Sequence, residues 1–426
     1  MISERTLIAR YFHRFGFGPK PGNFEAALKD GATGALNKIL TVESKSRIPD
    51  PVFKKLGPRP SNAIARVEWR NAMRDQEFKL TLWWMDRMVD SEHPFLERMT
   101  WFWHGHWATS MSKVDYANSM LIQNQLIRTT ALGSFAIQAK SLVVDGALQY
   151  WLDNNSNTVK APNENLAREL MELFTLGVNR YTENDVKQVA KALTGYSLDR
   201  ESSVVTFNPK KHDTSTLNIL GRTGTFDANS LTEYLVSLED CQTFIAERLW
   251  FRFINDSTTP SDNVIKNAFS NREILPTMNA LANHPALKSE ENSMVKPPFE
   301  WFISSCRALN VLPSTLAKPV IILGFFDRLS QKPFYPPNVG GWPSGEIWLT
   351  AANAQYRIQL AQLIVSKGDT TPISNIAPNN RVQKLADLLG VGEWSTRTKS
   401  ALASIQNDPI KLITTALLAP EYLVSV

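Results

Sequence analysis

Apolar residues recur along this chain every three to four positions far more often than every second one, so the pattern predicts helices almost throughout. Predicted helices cover 3–15, 23–30, 32–40, 63–90, 94–104, 115–130, 134–144 and 146–151. A helical hairpin then spans 161–195, followed by helices over 230–238, 240–253, 261–271, 272–283, 298–309, 314–328, 351–365, 380–389 and 410–418. Only 203–208 alternates like a strand, and 216–221 is expected to pair with it. The fold class this predicts is mainly α: a single large multi-helix body with a small β-hairpin insertion and a Pro/Gly/Trp-rich loop. One domain over 1–426 is the preferred organisation, with lobes 1–200 and 228–426 if the 198–227 insertion divides it.

Two segments add charge to this pattern in an ordered way. In APNENLARELMELFTLG, Leu166, Leu170, Leu173 and Phe174 form an apolar stripe, while Glu164, Arg168 and Glu172 follow one another at i, i+4 and i+8. Gly177 is placed to end that helix in left-handed geometry, and Thr182 with Asp185 forms the capping box of the next. Such a charge row is either a solvated face or the wall of a cleft. Upstream, PFLERMTWFWHGHWATS holds two of the six histidines, His104 and His106. Two residues apart on an unbroken helix, they point about 200° away from each other. They can share a metal only if the helix ends at Gly105 and swings His106 back. Otherwise they read as core histidines packed among tryptophans.

Three segments read as ordered loops: 43–59, rich in Pro, Lys and Ser; 198–227, carrying His212 and Asp213; and 332–348, KPFYPPNVGGWPSGEIW. In the last, prolines fix turns, and Gly340-Gly341 allows close backbone approach, which suits a loop covering a pocket or plugging the core with Trp342.

Composition narrows the function classes. Hydrophobic content of 43% excludes a disordered chain, and 46 basic against 41 acidic residues leave +5 without any basic run. That gives no nucleic-acid signal, and no stretch is apolar enough to predict a membrane span. Cys241 and Cys306 are too far apart in sequence for a Cys-x-x-Cys zinc site. The start, MISERTLIARYFHRFGFG, reads as an amphipathic helix rather than a leader, so the expected compartment is the cytoplasm, or the periplasm if a leader has been removed.

The chain resembles a bacterial family known as domain of unknown function 1800. The matching residues are Phe15-Gly16-Phe17-Gly18, Glu97-Arg98-Met99, Phe102-Trp103-His104-Gly105-His106-Trp107 and Gln123-Asn124. They continue through Tyr150-Trp151-Leu152-Asp153-Asn154, the APNENLARELMELFTLG block, Ala192-Leu193-Thr194-Gly195, His212-Asp213, Lys296-Pro297-Pro298 and Pro336-Pro337-Asn338-Val339 up to Trp342. One departure is Arg10, where family members tend to carry histidine. The resemblance implies an alkaline-phosphatase-like exported partner protein but no established reaction.

The residue types suggest a metal-dependent enzyme that activates water or oxygen at a His/Glu site between helices. His104, His106, Glu169, His212 and Asp213 are its candidate ligands for a divalent transition metal. Glu164, Arg168 and Glu172 are its candidate catalytic residues, with Arg168 clamping an anionic group. The alternatives are a non-catalytic helical scaffold or partner-binding protein with a structural His/Glu/Arg network, and a metal-independent glycosidase using a pair such as Glu97 and Glu164 between tryptophan platforms.

Overall fold

A computed structural model describes residues 1–42 and 46–425, so the first three residues of the expected 43–59 loop lie outside the described residues. The protein is mainly α. Helix α1 (Glu4–Arg14) starts where the Ser3 side chain accepts a bond from the Thr6 N–H. Helix α2 (Asn23–Ile39) joins the two helices expected at 23–30 and 32–40, with a kink at Gly31, where φ is 71°. Helix α3 (Ala63–Asp90) is capped by Asn62, and helix α4 (Phe95–His106) follows it after a short turn. Later departures have local causes. The helix expected over 314–328 divides into Pro313–Leu316 and Pro319–Arg328, because proline cannot continue the helix before it. Thr396–Ala403 is a helix that the polar sequence there did not announce. No helix among the described residues is long and apolar enough to cross a membrane.

The expected strand pairing is corrected. Val204–Phe207 pairs not with the later segment but with Tyr196–Asp199 before it, antiparallel and in the register Tyr196 opposite Phe207. Leu217–Ile219 turns back at Gly221 to pair with Arg222–Gly224, and Met294–Val295 pairs with Val424–Ser425 beside the C-terminus. Each partner lies within a few residues or is only two residues long, too short for an alternating pattern to register.

The interior forms two large apolar clusters. One gathers the helices between Phe135 and Leu287 around Leu148, Leu170, Phe174 and Leu249, and the other joins α3 to the helices from Pro298 onward through Trp84, Met88, Trp301 and Phe326. Helix α4 lies between them. Its Phe95, Met99, Phe102 and Trp103 belong to the first cluster and its Trp101 to the second. The helix is buried on all sides, and its Glu97, Arg98, His104 and His106 are buried along with its apolar residues.

Candidate functional site

Helix α4 runs unbroken through Gly105 to His106, so the condition under which the two histidines could share a metal is not met. Each imidazole faces a different core. His104, 1% exposed, is boxed by Trp84 and Phe334 at 5.2 Å, Trp342 at 5.7 Å and Trp101 at 6.3 Å between ring centroids. Neither of its ring nitrogens has a hydrogen-bond partner. Burial presses its pKa down to about 3. His106 sits among Phe102, Trp103 and Phe174 on the other side. Its Nε2 lies 3.0 Å from the Phe174 carbonyl oxygen. A carbonyl only accepts, so Nε2 carries the proton and the buried Nδ1 is bare. Burial, with a smaller push from Arg248, lowers this histidine also to about 3. Both rings are neutral at ordinary pH.

The Phe174 carbonyl is available because of how its helix ends. Asn165–Glu169 is α-helical, but Leu170–Thr175 widens into a π turn and stops at Gly177, whose φ is 95°. The last carbonyls of a helix lack intrahelical donors, and His106 supplies one. The expected hairpin is therefore interrupted by one widened turn, a feature frequent at functional sites.

Two buried carboxylates flank the His104 box. Glu97, fully enclosed, accepts from Arg87 Nε (2.6 Å), Arg128 Nε (2.8 Å) and Trp84 Nε1 (3.0 Å). Burial pushes its pKa up, but Arg128 and Arg87 outweigh this and hold it below the usual carboxylate range. Glu300 accepts from Trp101 Nε1 at 3.2 Å and pairs with Arg98 and Arg252. Thus two of the three tryptophans that line His104, Trp84 and Trp101, are fixed by an N–H bond to a buried, arginine-held carboxylate.

The loop 332–348 closes over α4. Lys332 anchors one end on Glu77 at 2.8 Å, and the Phe334 carbonyl accepts from the Met111 N–H at 2.9 Å. Trp342 stacks on Trp101 with centroids 4.7 Å apart and planes 23° from parallel. Gly341, at φ 84°, brings its backbone so near α4 that a Cβ there would stand 2.2 Å from the Gly105 carbonyl oxygen. Only glycine fits.

Beside this contact is a crevice of about 40 Å³, bordered by Gly105, Arg248, Arg252, Gln331, Trp342 and Ser344. Arg248 Nε and Trp342 Nε1 are buried there without hydrogen-bond partners. Burial lowers the pKa of both arginines, most for Arg252, which is pressed further by Arg98 and Arg248. Arg98 and Arg252 pair with Glu300, Asp256 also acts on Arg252, and Arg248 stands beside them, so three guanidinium groups face two carboxylates here.

The remaining expected residues lie apart from this crevice's lining. Arg168 grips Glu183 through both Nη atoms (2.7 and 2.8 Å) and reaches Glu164 at 3.7 Å, and these three side chains are 35%, 69% and 40% exposed. Glu172 accepts from the Tyr181 hydroxyl. Glu169 is half-buried, and burial together with the neighbouring Glu172 raises its pKa. His212 Nδ1 lies 3.0 Å from the Thr194 carbonyl and the Asp213 N–H donates to the Thr194 hydroxyl at 2.8 Å, so both fasten the hairpin segment to the end of helix Glu183–Ala192, while the Asp213 carboxylate accepts from Ser215. Among the described residues no group of three or more His, Cys, Asp or Glu side chains is assembled to hold a metal. Of the carboxylates named for a glycosidase, Glu97 is enclosed and doubly paired with arginines, while Glu164 is partly exposed and paired with Arg168.

Sequence reasoning missed Glu300, Arg248 and Arg252. The signal was present, since the two arginines stand four residues apart in RLWFRF, charges on a helix otherwise built for a core.

No curated protein and no solved structure matches this chain. A family model described as protein of unknown function (DUF1800) matches residues 10–424, and the chain belongs to that family.

Proposed function

We propose that this protein binds a small carboxylate- or phosphate-bearing molecule in the crevice beneath the Trp342 loop, with Arg248 and Arg252 as its anchors. One observation carries the reading: buried donors without partners converge where cations outnumber carboxylates. A buried donor without an acceptor costs about 1–3 kcal/mol, and native proteins seldom tolerate it without a use. A bidentate oxyanion supplies acceptors to both Arg248 Nε and Trp342 Nε1 and offsets the excess charge. The neutral imidazoles on either side of Gly105 add no further charge, so the selection for an anion rests on the arginines.

Metal-assisted activation of water or oxygen is the second reading. It is favoured by three imidazole nitrogens within residues 104–106 that lack hydrogen-bond partners. They point into opposite cores and no third donor joins either, so the donor set is incomplete and the anion reading takes precedence.

Thermal unfolding with phosphate, sulfate, acetate, succinate and citrate tests the first reading. A ligand at 100 times its Kd raises stability by about 2.7 kcal/mol. At least one of these anions should raise the melting temperature in wild type and not in Arg248→Met. Elemental analysis on the same protein addresses the second. If no anion stabilises, no metal co-purifies and His104→Ala only lowers stability, the site is a structural network and the protein a helical scaffold.

A further inference from the structure

We propose that a second, open cleft on a different surface, framed by Trp69, Tyr116, Tyr150 and Arg200, binds a saccharide. The cleft encloses about 540 Å³, and its rim comes from α3, the residues around Tyr116, helix Gly146–Trp151 and the turn between strands Tyr196–Asp199 and Val204–Phe207. The three aromatic rings are half-buried, each leaving part of its surface to solvent.

The polar atoms of Trp69 and Tyr116 are tied to a single residue, Gly57. Trp69 Nε1 donates to the Gly57 carbonyl at 3.1 Å, the Tyr116 hydroxyl donates to the same oxygen at 3.3 Å, and the Gly57 N–H donates to Glu201 at 3.1 Å. This fixes the Trp69 and Tyr116 rings while leaving ring surface free for stacking. The Arg200 guanidinium lies 3.8 Å from the Tyr150 centroid and 5.2 Å from that of Tyr116, filling the gap between those rings. A flat base cannot slide between them. Arg200 reaches Asp115 and the Val114 carbonyl only at 3.4 Å, bonds long enough to yield to a ligand.

Charge then decides the ligand class. Arg59 and Arg200 face Asp115, Asp199 and Glu201, so neither sign dominates and no simple ion is selected. Carboxylates that accept from hydroxyl groups, guanidiniums that donate to them, and an indole that takes a C–H face together suit a neutral polyhydroxylated ring.

Calorimetric titration of the full chain with cellohexaose, xylohexaose, mannohexaose and chitohexaose, each to about 5 mM, tests this. At least one should bind with a Kd below about 1 mM. Trp69→Ala should weaken it at least about tenfold, and Glu201→Gln should weaken it without altering the melting temperature. Arg248→Met, in the other crevice, should leave it unchanged. If Trp69→Ala does not fold, the Glu201→Gln titration decides alone. Absence of binding by all four sugars, or binding that survives these cleft substitutions, overturns the proposal.

Discussion

Burial holds the imidazoles of His104 and His106 neutral, each with a pKa near 3, and so couples them to folding. In the unfolded chain both regain a value near 6.5, so below that pH the unfolded state binds more protons than the native one. Stability is therefore complete above about pH 6.5 and falls as pH drops toward 3, by about 1.4 kcal/mol per pH unit for each histidine. Urea unfolding from pH 7 to 4 should show this slope, and His104→Phe should make it shallower. A slope unchanged in His104→Phe would mean that this ring is not held neutral. The opposed directions of the two rings were legible from their spacing alone. What filled the space around them was not, because Trp84, Phe334 and Trp342 come from distant segments. The same holds for Glu300, whose role depends on Arg98 and Arg252 reaching it from two other helices.

At the scale of elements, the loop 332–348 depends on one glycine and one tryptophan. Gly341→Ala forces a Cβ toward the Gly105 carbonyl and a left-handed backbone on alanine, which alone costs about 1–2 kcal/mol. It should lower the melting temperature and weaken anion binding together. Trp342→Ala removes the stack on Trp101, and because Trp342 is only half-buried the loss should fall near or below the ~3 kcal/mol low end for a core tryptophan. If that variant is destabilised yet still binds anions as wild type does, the loop is a plug and no part of the site. The Glu164–Arg168 row behaves differently. Exposed pairs of this kind contribute little and are screened by salt. Arg168→Ala should leave anion binding unchanged, and a loss of binding would return the row to the site. The prolines and paired glycines made this loop legible in advance. The π turn at Leu170–Thr175 was not, since one widened turn leaves the apolar stripe intact.

Across the whole molecule, α4 packs into both apolar clusters, so neither half keeps its core without it. Calorimetry should therefore show one unfolding transition, and Trp103→Ala, fully buried, should lower it as a unit by about 3–5 kcal/mol. Two resolved transitions would mean that the clusters fold separately. The helical class was visible in the periodicity, but a formal charge of +5 gave no hint that Arg248 and Arg252 line one crevice with Arg98 close by. That gathering is the basis of the proposed function, and Arg248→Met tests it most directly. Arg248 Nε is a buried donor left without an acceptor, which costs stability, so replacing the side chain with a methionine of similar length should keep or raise the melting temperature. Titration calorimetry of wild type and this variant, with whichever anion stabilises the wild type, should show affinity falling at least about tenfold while stability holds. Equal affinity in the two proteins would contradict the account.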